Sequence, residues 1–185
     1  MNRVIIENAV RELLIGLGED PDREGLQETP QRVARMYEEV FEGIKYTNEE
    51  IAEMYGKKFS ENTDSSNVVV MKDITVFSYC EHHLALMYDM KVNVSYVPHG
   101  KVLGLSKIAR IAEMASKRLQ LQERLTNDIA EIISMAAETP DVAVQITGSH
   151  SCMTARGVKN TESRTTTRTF LGKYKEDHNL QRIIE

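Results

Sequence analysis

The 185-residue chain has no tryptophan, and aromatic side chains make up only 6% of it. A groove that grips single-stranded nucleic acid by stacking bases on rings needs more than that. Positive charge is not in excess: the net charge of −5 argues against a general nucleic-acid binder. No apolar run approaches the roughly 20 residues of a membrane span. No internal repeat, low-complexity segment or Gly/Ser-rich linker divides the chain, so one domain is the default and two small ones are possible. The GxxxxGK[ST] loop is missing, so any nucleotide is not held in a P-loop. The first twenty residues, MNRVIIENAVRELLIGLGED, are amphipathic with an early acid. They do not form a secretory leader, and the expected compartment is the cytoplasm. Cysteine is scarce, with only Cys80 and Cys152, and a reducing cytosol disfavours a structural disulfide between them. They are either buried inert thiols or thiolates for a metal.

What is present suffices for a globular core, since 41% of residues are hydrophobic. The N-terminal third carries helical periodicity. Val4, Ile5, Val10, Leu13, Leu14 and Leu17 form one stripe, with Gly18 as its stop. In ETPQRVARMYEEVFEGI, Thr29 is the expected cap, Pro30 suits the first turn, and Val33, Met36, Tyr37, Val40 and Phe41 form the stripe. Arg32 and Arg35 lie one turn apart along it. A short helix over NEEIAEMY follows. Near Asn67 the pattern changes to strands: NVVVMKDITVFSYC, then MKVNVSYV, where Val92, Val94 and Tyr96 alternate with Lys91, Asn93 and Ser95. Helices return from Ser106, the expected N-cap, through Ile108, Ile111, Ala112 and Ala115. They resume with Leu125, Ile129, Ile132, Ile133 and Ala136. DVAVQITGSHSC and RTTTRTFLG are two further strands, and a short helix closes the chain. This order fits an α+β fold of antiparallel hairpins against a helical layer rather than repeated βαβ units. Four strands leave open edges, and pairing with other subunits is one way to cover them.

Three clusters carry chemistry. Cys80, Glu81, His82 and His83 are consecutive, and zinc prefers thiolate and imidazole ligands that a single turn can bring together. The plainer alternative is a polar turn with surface histidines. In GSHSCMTARG, His150 and Cys152 are two apart, and a continuing strand puts them on one face. Cys152 then supplies a third ligand. His99 and His178 are isolated, so a fourth is not evident, and three ligands with an open position describe catalytic zinc. Such an ion lowers the pKa of its water to about 7, and nearby histidines suit proton transfer. Lys107 and Arg110 at the start of a helix, with Arg156 beyond Cys152, suggest an anionic substrate such as a phosphate ester. A solvated helix face is the other reading. Glu123 is a surface glutamate or a partner for two adjacent N–H donors, as on a guanine edge.

CEHH (80–83), GLSKIAR (104–110), LQLQERLT (119–126) and HSCMTARG (150–157), with ETPQRVARMY (28–37) upstream, together resemble the GTP cyclohydrolase I family in order and spacing, from about Leu26 to Gly172. The resemblance implies hydrolysis of GTP to 7,8-dihydroneopterin triphosphate and formate, the entry to folate and other pterins. It implies the tunnelling fold, in which antiparallel strands from several subunits close a barrel with helices outside, and a ring-shaped homodecamer with shared active sites. Residues 1–65 become an N-terminal helical region and 66–185 the catalytic region. Cys80, His83 and Cys152 match the zinc ligands, His83 rather than His82 being chosen by resemblance alone. The zinc-bound water is then the nucleophile at purine C8. His82 and His150 match proton-transfer residues, and Gln122 and Glu123 the guanine-recognition pair. Ser106, Lys107, Arg110 and Arg156 match ribose and triphosphate contacts, and Arg32 and Arg35 a basic contribution from a neighbouring subunit. Two departures stand out: ALMYDM follows CEHHL where a proline and aromatics are usual, and Ser151 replaces a larger side chain. With no long N-terminal extension, regulatory-partner control is not expected. A pterin synthase of the same fold needs three histidines, and a nitrile reductase needs a cysteine nucleophile with a nicotinamide cofactor. A structural-zinc module needs a fourth ligand. The Cys80, His83 and Cys152 set disfavours all three.

Overall fold

The computed structural model describes residues 1–61 and 67–185. The boundary expected at 65/66 lies outside the described residues. The chain forms two compact units, Met1–Glu42 and Gly43–Glu185.

The first unit holds α1 (Arg3–Gly16) and α2 (Thr29–Val40). Asn2 caps α1 by accepting the Ile5 N–H at 3.1 Å. The helix ends at Gly16, and Gly18, at φ +85°, closes a Schellman turn. There the Gly18 N–H donates to Ile15 O, and the Glu19 N–H to Leu14 O. The expected apolar stripe of α1 is not buried: Val4, Ile5, Leu13 and Leu17 are all exposed. In α2, Thr29 is not the cap but the first helical residue. Glu28 holds the cap position without a side-chain bond, because the preceding turn already bonds the Thr29 N–H to Leu26 O. Ala34 and Pro30 are buried, whereas Met36 is exposed.

The second unit contains α3 (Asn48–Tyr55), β1 (Lys58–Ser60), β2 (Val69–Cys80), β3 (Ala85–Tyr96), β4 (Lys101–Leu103), α4 (Leu105–Ser116), β5 (Leu119–Gln120), α5 (Gln122–Ala137), β6 (Val142–His150), α6 (Ser151–Thr154), β7 (Thr165–Phe170) and α7 (His178–Ile183). Thr47 and Glu50 close a capping box on α3. Ser106 is not the cap of α4: the helix begins at Leu105, with Gly104 in the cap position and the Lys107 N–H already bonded to Gly104 O.

The main sheet runs β5-β2-β3-β6-β7, antiparallel except for β5, which lies parallel to β2; β1 and β4 form a separate pair. Register breaks between Met71 and Ile74 and between Tyr88 and Lys91 contain Asp73 and Asp89, both at positive φ. Such bulges bend and twist a strand, and they curl the sheet. One face packs on α4 and α5, burying Val92, Val94, Tyr96, Val144 and Ile146 against Ile108, Ile111, Leu125, Ile129 and Ile132, and α3 packs on those two helices. Among the described residues the outer edges of β5 and β7 pair with no strand, and no helix is long and apolar enough to cross a membrane.

Candidate functional site

The topology brings distant segments to one end of the sheet. β2 ends at Cys80, and residues 81–84 turn the chain into β3, with Leu84 at φ +51° closing the turn. β6 runs antiparallel to β3, so its last residue, His150, pairs with Met87 beside that turn. β5 runs alongside the end of β2, pairing Gln120 with Cys80, and its next residues open α5 with Gln122 and Glu123.

The strand does not continue through Cys152. The ladder with β3 ends at the His150–Met87 pair, although β3 itself runs on through Leu86 to Ala85. The Ser151 hydroxyl instead donates to Leu86 O at 2.7 Å, and Ser151–Thr154 form one helical turn, α6. A second bond joins the Tyr88 and Thr154 hydroxyls at 3.1 Å. Ser151 thus latches the cysteine-bearing turn onto β3.

Here Cys80, His83 and Cys152 meet. Their ligand atoms all lie within 4.8 Å of one another, with Cys80 buried, Cys152 half-buried and His83 exposed. Both cysteines are free thiols. The Cys152 thiol is pushed above its ordinary pKa by burial first and then by the neighbouring Cys80 sulfur, with Arg156 opposing. A bound cation reverses that penalty, because the thiolate is the form that ligates. The His82 ring stands edge-on to that of His83, centroids 6.4 Å apart. Burial lowers the His150 pKa, and Glu123 opposes the shift.

The other expected residues are spread over several elements. Gln122 is 1% exposed, and its side chain faces inward, with Oε1 2.8 Å from Nε2 of His150. Glu123 beside it is exposed. Ser106, Lys107 and Arg110 ride the first two turns of α4, and the Lys107 ammonium lies 6.0 Å from the centre of the Tyr55 ring. Arg32 and Arg35 belong to the first unit, where Arg32 pairs with Glu28 at 2.7 Å.

Sequence reasoning left Glu81 without a role. Arg124 grips its carboxylate with both guanidinium nitrogens, at 2.5 and 3.2 Å, and holds it below the usual carboxylate pKa. The Glu81 N–H also donates to Gln120 O at 3.1 Å. The metal-capable turn is therefore fastened to both β5 and α5. No local signal links residues 81 and 124.

The family model described as GTP cyclohydrolase I matches residues 6–184. A GTP cyclohydrolase 1 of Ruminiclostridium cellulolyticum is 60% identical over 184 residues, 97% of this chain and 94% of that protein. The protein of the same name from Clostridium acetobutylicum is 56% identical over 95% of this chain and 91% of that protein. A solved archaeosine synthase QueF-Like chain in the apo form aligns at 19% identity and a TM-score of 0.46, over 60% of this chain and 97% of that one. That last likeness is too distant to bear on function.

Proposed function

The chain belongs to the GTP cyclohydrolase I family, an enzyme family, and from that premise we propose that it hydrolyses GTP to formate and 7,8-dihydroneopterin triphosphate, with zinc as its metal. The observation that carries this reading is the grouping of Cys80, His83 and Cys152 within 4.8 Å beside His150 and the start of α5. Two thiolates and an imidazole are the donors zinc favours, at about 2.3 Å from sulfur and 2.0 Å from nitrogen, so a set this close can share one ion. Zinc bound there supplies Lewis acidity and makes water nucleophilic near neutral pH.

The chain's own residues take the remaining roles. His82 and His150 hold and move protons as the imidazole ring of guanine and then the sugar open. Glu123, exposed at the first turn of α5, accepts the paired N–H groups of the guanine edge. Ser106, Lys107, Arg110 and Arg156 receive the ribose and triphosphate, and Arg32 and Arg35 add positive charge from a neighbouring copy. We assign a tunnelling-fold barrel closed between subunits of a ring-shaped homodecamer. The unpaired outer edges of β5 and β7 and the exposed apolar face of α1 support that assembly. The cytoplasm is the compartment we assign, in keeping with two free thiols.

The test is a metal analysis and a formate assay on one purified sample. The expected result is one zinc per chain and GTP-dependent formate release, both lost in Cys152→Ala. Wild-type protein that is loaded with zinc and releases no formate from GTP overturns the reading. Consumption of NADPH without formate replaces it with a reductase on the same fold.

A further inference from the structure

Gln122 is the first residue of α5, and its side-chain amide is buried where helix, β6 and β7 meet. Its Nε2 donates to Ile146 O at 3.0 Å and Thr165 O at 2.9 Å, with the Thr167 hydroxyl at 3.2 Å. Carbonyl oxygens only accept hydrogen bonds. The NH2 group must therefore face β6 and β7, and Oε1 must face His150, 2.8 Å from its Nε2. An amide oxygen also only accepts, so the imidazole nitrogen opposite it carries the proton. In a neutral ring this leaves Nδ1 with the free lone pair. The amide orientation thus follows from the acceptors around it.

Gly148, two residues before His150 on β6, leaves room for Met90 beside this bridge. A Cβ there would stand 3.5 Å from Oε1 of Gln122 and 2.8 Å from Cγ of Met90. On its other side the Thr167 hydroxyl is itself held, 2.6 Å from that of Thr126.

We propose that Gln122 is a positioning residue: it fixes the orientation of His150 and its Nε2–H tautomer, with Nδ1 the ring's unprotonated nitrogen. This rests on the reading of the chain as a GTP hydrolase, in which His150 moves a proton. It also moves Gln122 from the list of guanine contacts to the support of a catalytic ring, because both amide hydrogens are engaged within the fold. Guanine recognition at this helix start then falls to Glu123.

Magic-angle-spinning 15N spectra of histidine-labelled, zinc-loaded protein identify the protonated nitrogen of each ring, with the His150 signal assigned by its loss in His150→Asn. The expected result is a proton on Nε2 in wild-type protein and a mixture of tautomers in Gln122→Met. A wild-type His150 protonated on Nδ1 alone overturns the proposal without any variant. In kinetics, Gln122→Met is expected to lower kcat by about 10- to 100-fold, the range for outer groups that orient working imidazoles. KM for GTP should stay within about threefold. A raised KM at unchanged kcat makes Gln122 a substrate contact and overturns the proposal. If Gln122→Met does not fold, Thr167→Val removes one of the amide's three acceptors. It should broaden the tautomer signal and lower kcat at constant KM, and no change in either refutes the bridge. A wild-type enzyme inactive on GTP would refute the functional reading, while the tautomer measurement still decides the role of Gln122.

Discussion

Replacing Arg118 by methionine tests what braces the site from behind. Arg118 lies between α4 and β5 with a side chain 15% exposed. It donates to Gly43 O at 3.1 Å, Tyr46 O at 2.8 Å, Asn48 Oδ1 at 2.8 Å and Asp128 Oδ2 at 3.2 Å. Asp128 also accepts from Gln120 Nε2 at 2.8 Å, and Gln120 pairs with Cys80. Methionine preserves most of the packing volume but leaves two backbone carbonyls and a largely buried carboxylate without the cation. Breaking a buried pair on one side costs about 3–5 kcal/mol. The residual exposure and the remaining Gln120 bond favour the lower end, about 3 kcal/mol. At an unfolding entropy of about 2.1 cal/mol/K per residue, 185 residues give about 390 cal/mol/K, so Tm should fall by about 8 °C. Differential scanning calorimetry of both proteins at one matched concentration measures this. Arg118→Met combined with Asp128→Leu should recover part of the loss, since removing both partners leaves no orphan charge. A single-variant shift under about 2 °C, or a double variant worse than the sum of the singles, would refute the reasoning.

Two further outcomes follow from particular side chains. Glu138 sits between Lys58 and Lys101, whose hydrogen bonds and charges lower its pKa from 4.5 to about 2. A depressed carboxylate stabilises the fold fully above its unfolded pKa and loses that contribution as pH falls. The stability difference between wild type and Glu138→Gln should therefore be constant above about pH 4.5 and vanish near pH 2 in acid titrations; a difference that grows on acidification contradicts this. Glu123→Ala should weaken GTP binding by about 10- to 100-fold, the loss expected when a site's paired acceptor is removed, and an unchanged dissociation constant in calorimetric titration removes Glu123 from that role.

Much of the architecture was legible because period carries over several turns. Ile108, Ile111 and Ala115 announced α4; Leu125, Ile129, Ile132 and Ile133 announced α5; the Val92, Val94, Tyr96 alternation announced β3. β1, β4 and β5 were not legible, because two or three residues cannot establish a period. Ser106 looked like a cap because serine usually is one, yet Gly104 takes the position in a turn already tied to Lys57 O. Cys80 and Cys152 stood out as the only cysteines, but nothing local chose between His82 and His83. The inward turn of Gln122 was invisible for the same reason as the grip of Arg124 on Glu81. A polar residue at a helix start reads as exposed until the partners that bury it, Ile146, Thr165 and Thr167, are known.

The two sulfurs of the candidate metal centre arrive from segments of the second unit more than seventy residues apart in the chain. They become neighbours only once β6 has zipped onto β3 and Ser151 has found the carbonyl of Leu86. A partly synthesised chain that stops short of Cys152 offers at most one thiolate and two adjacent histidines. Capture of an ion by both thiolates at this candidate centre would therefore have to await the synthesis of Cys152. An ion held by both thiolates would certify that β6 and β3 have paired in register.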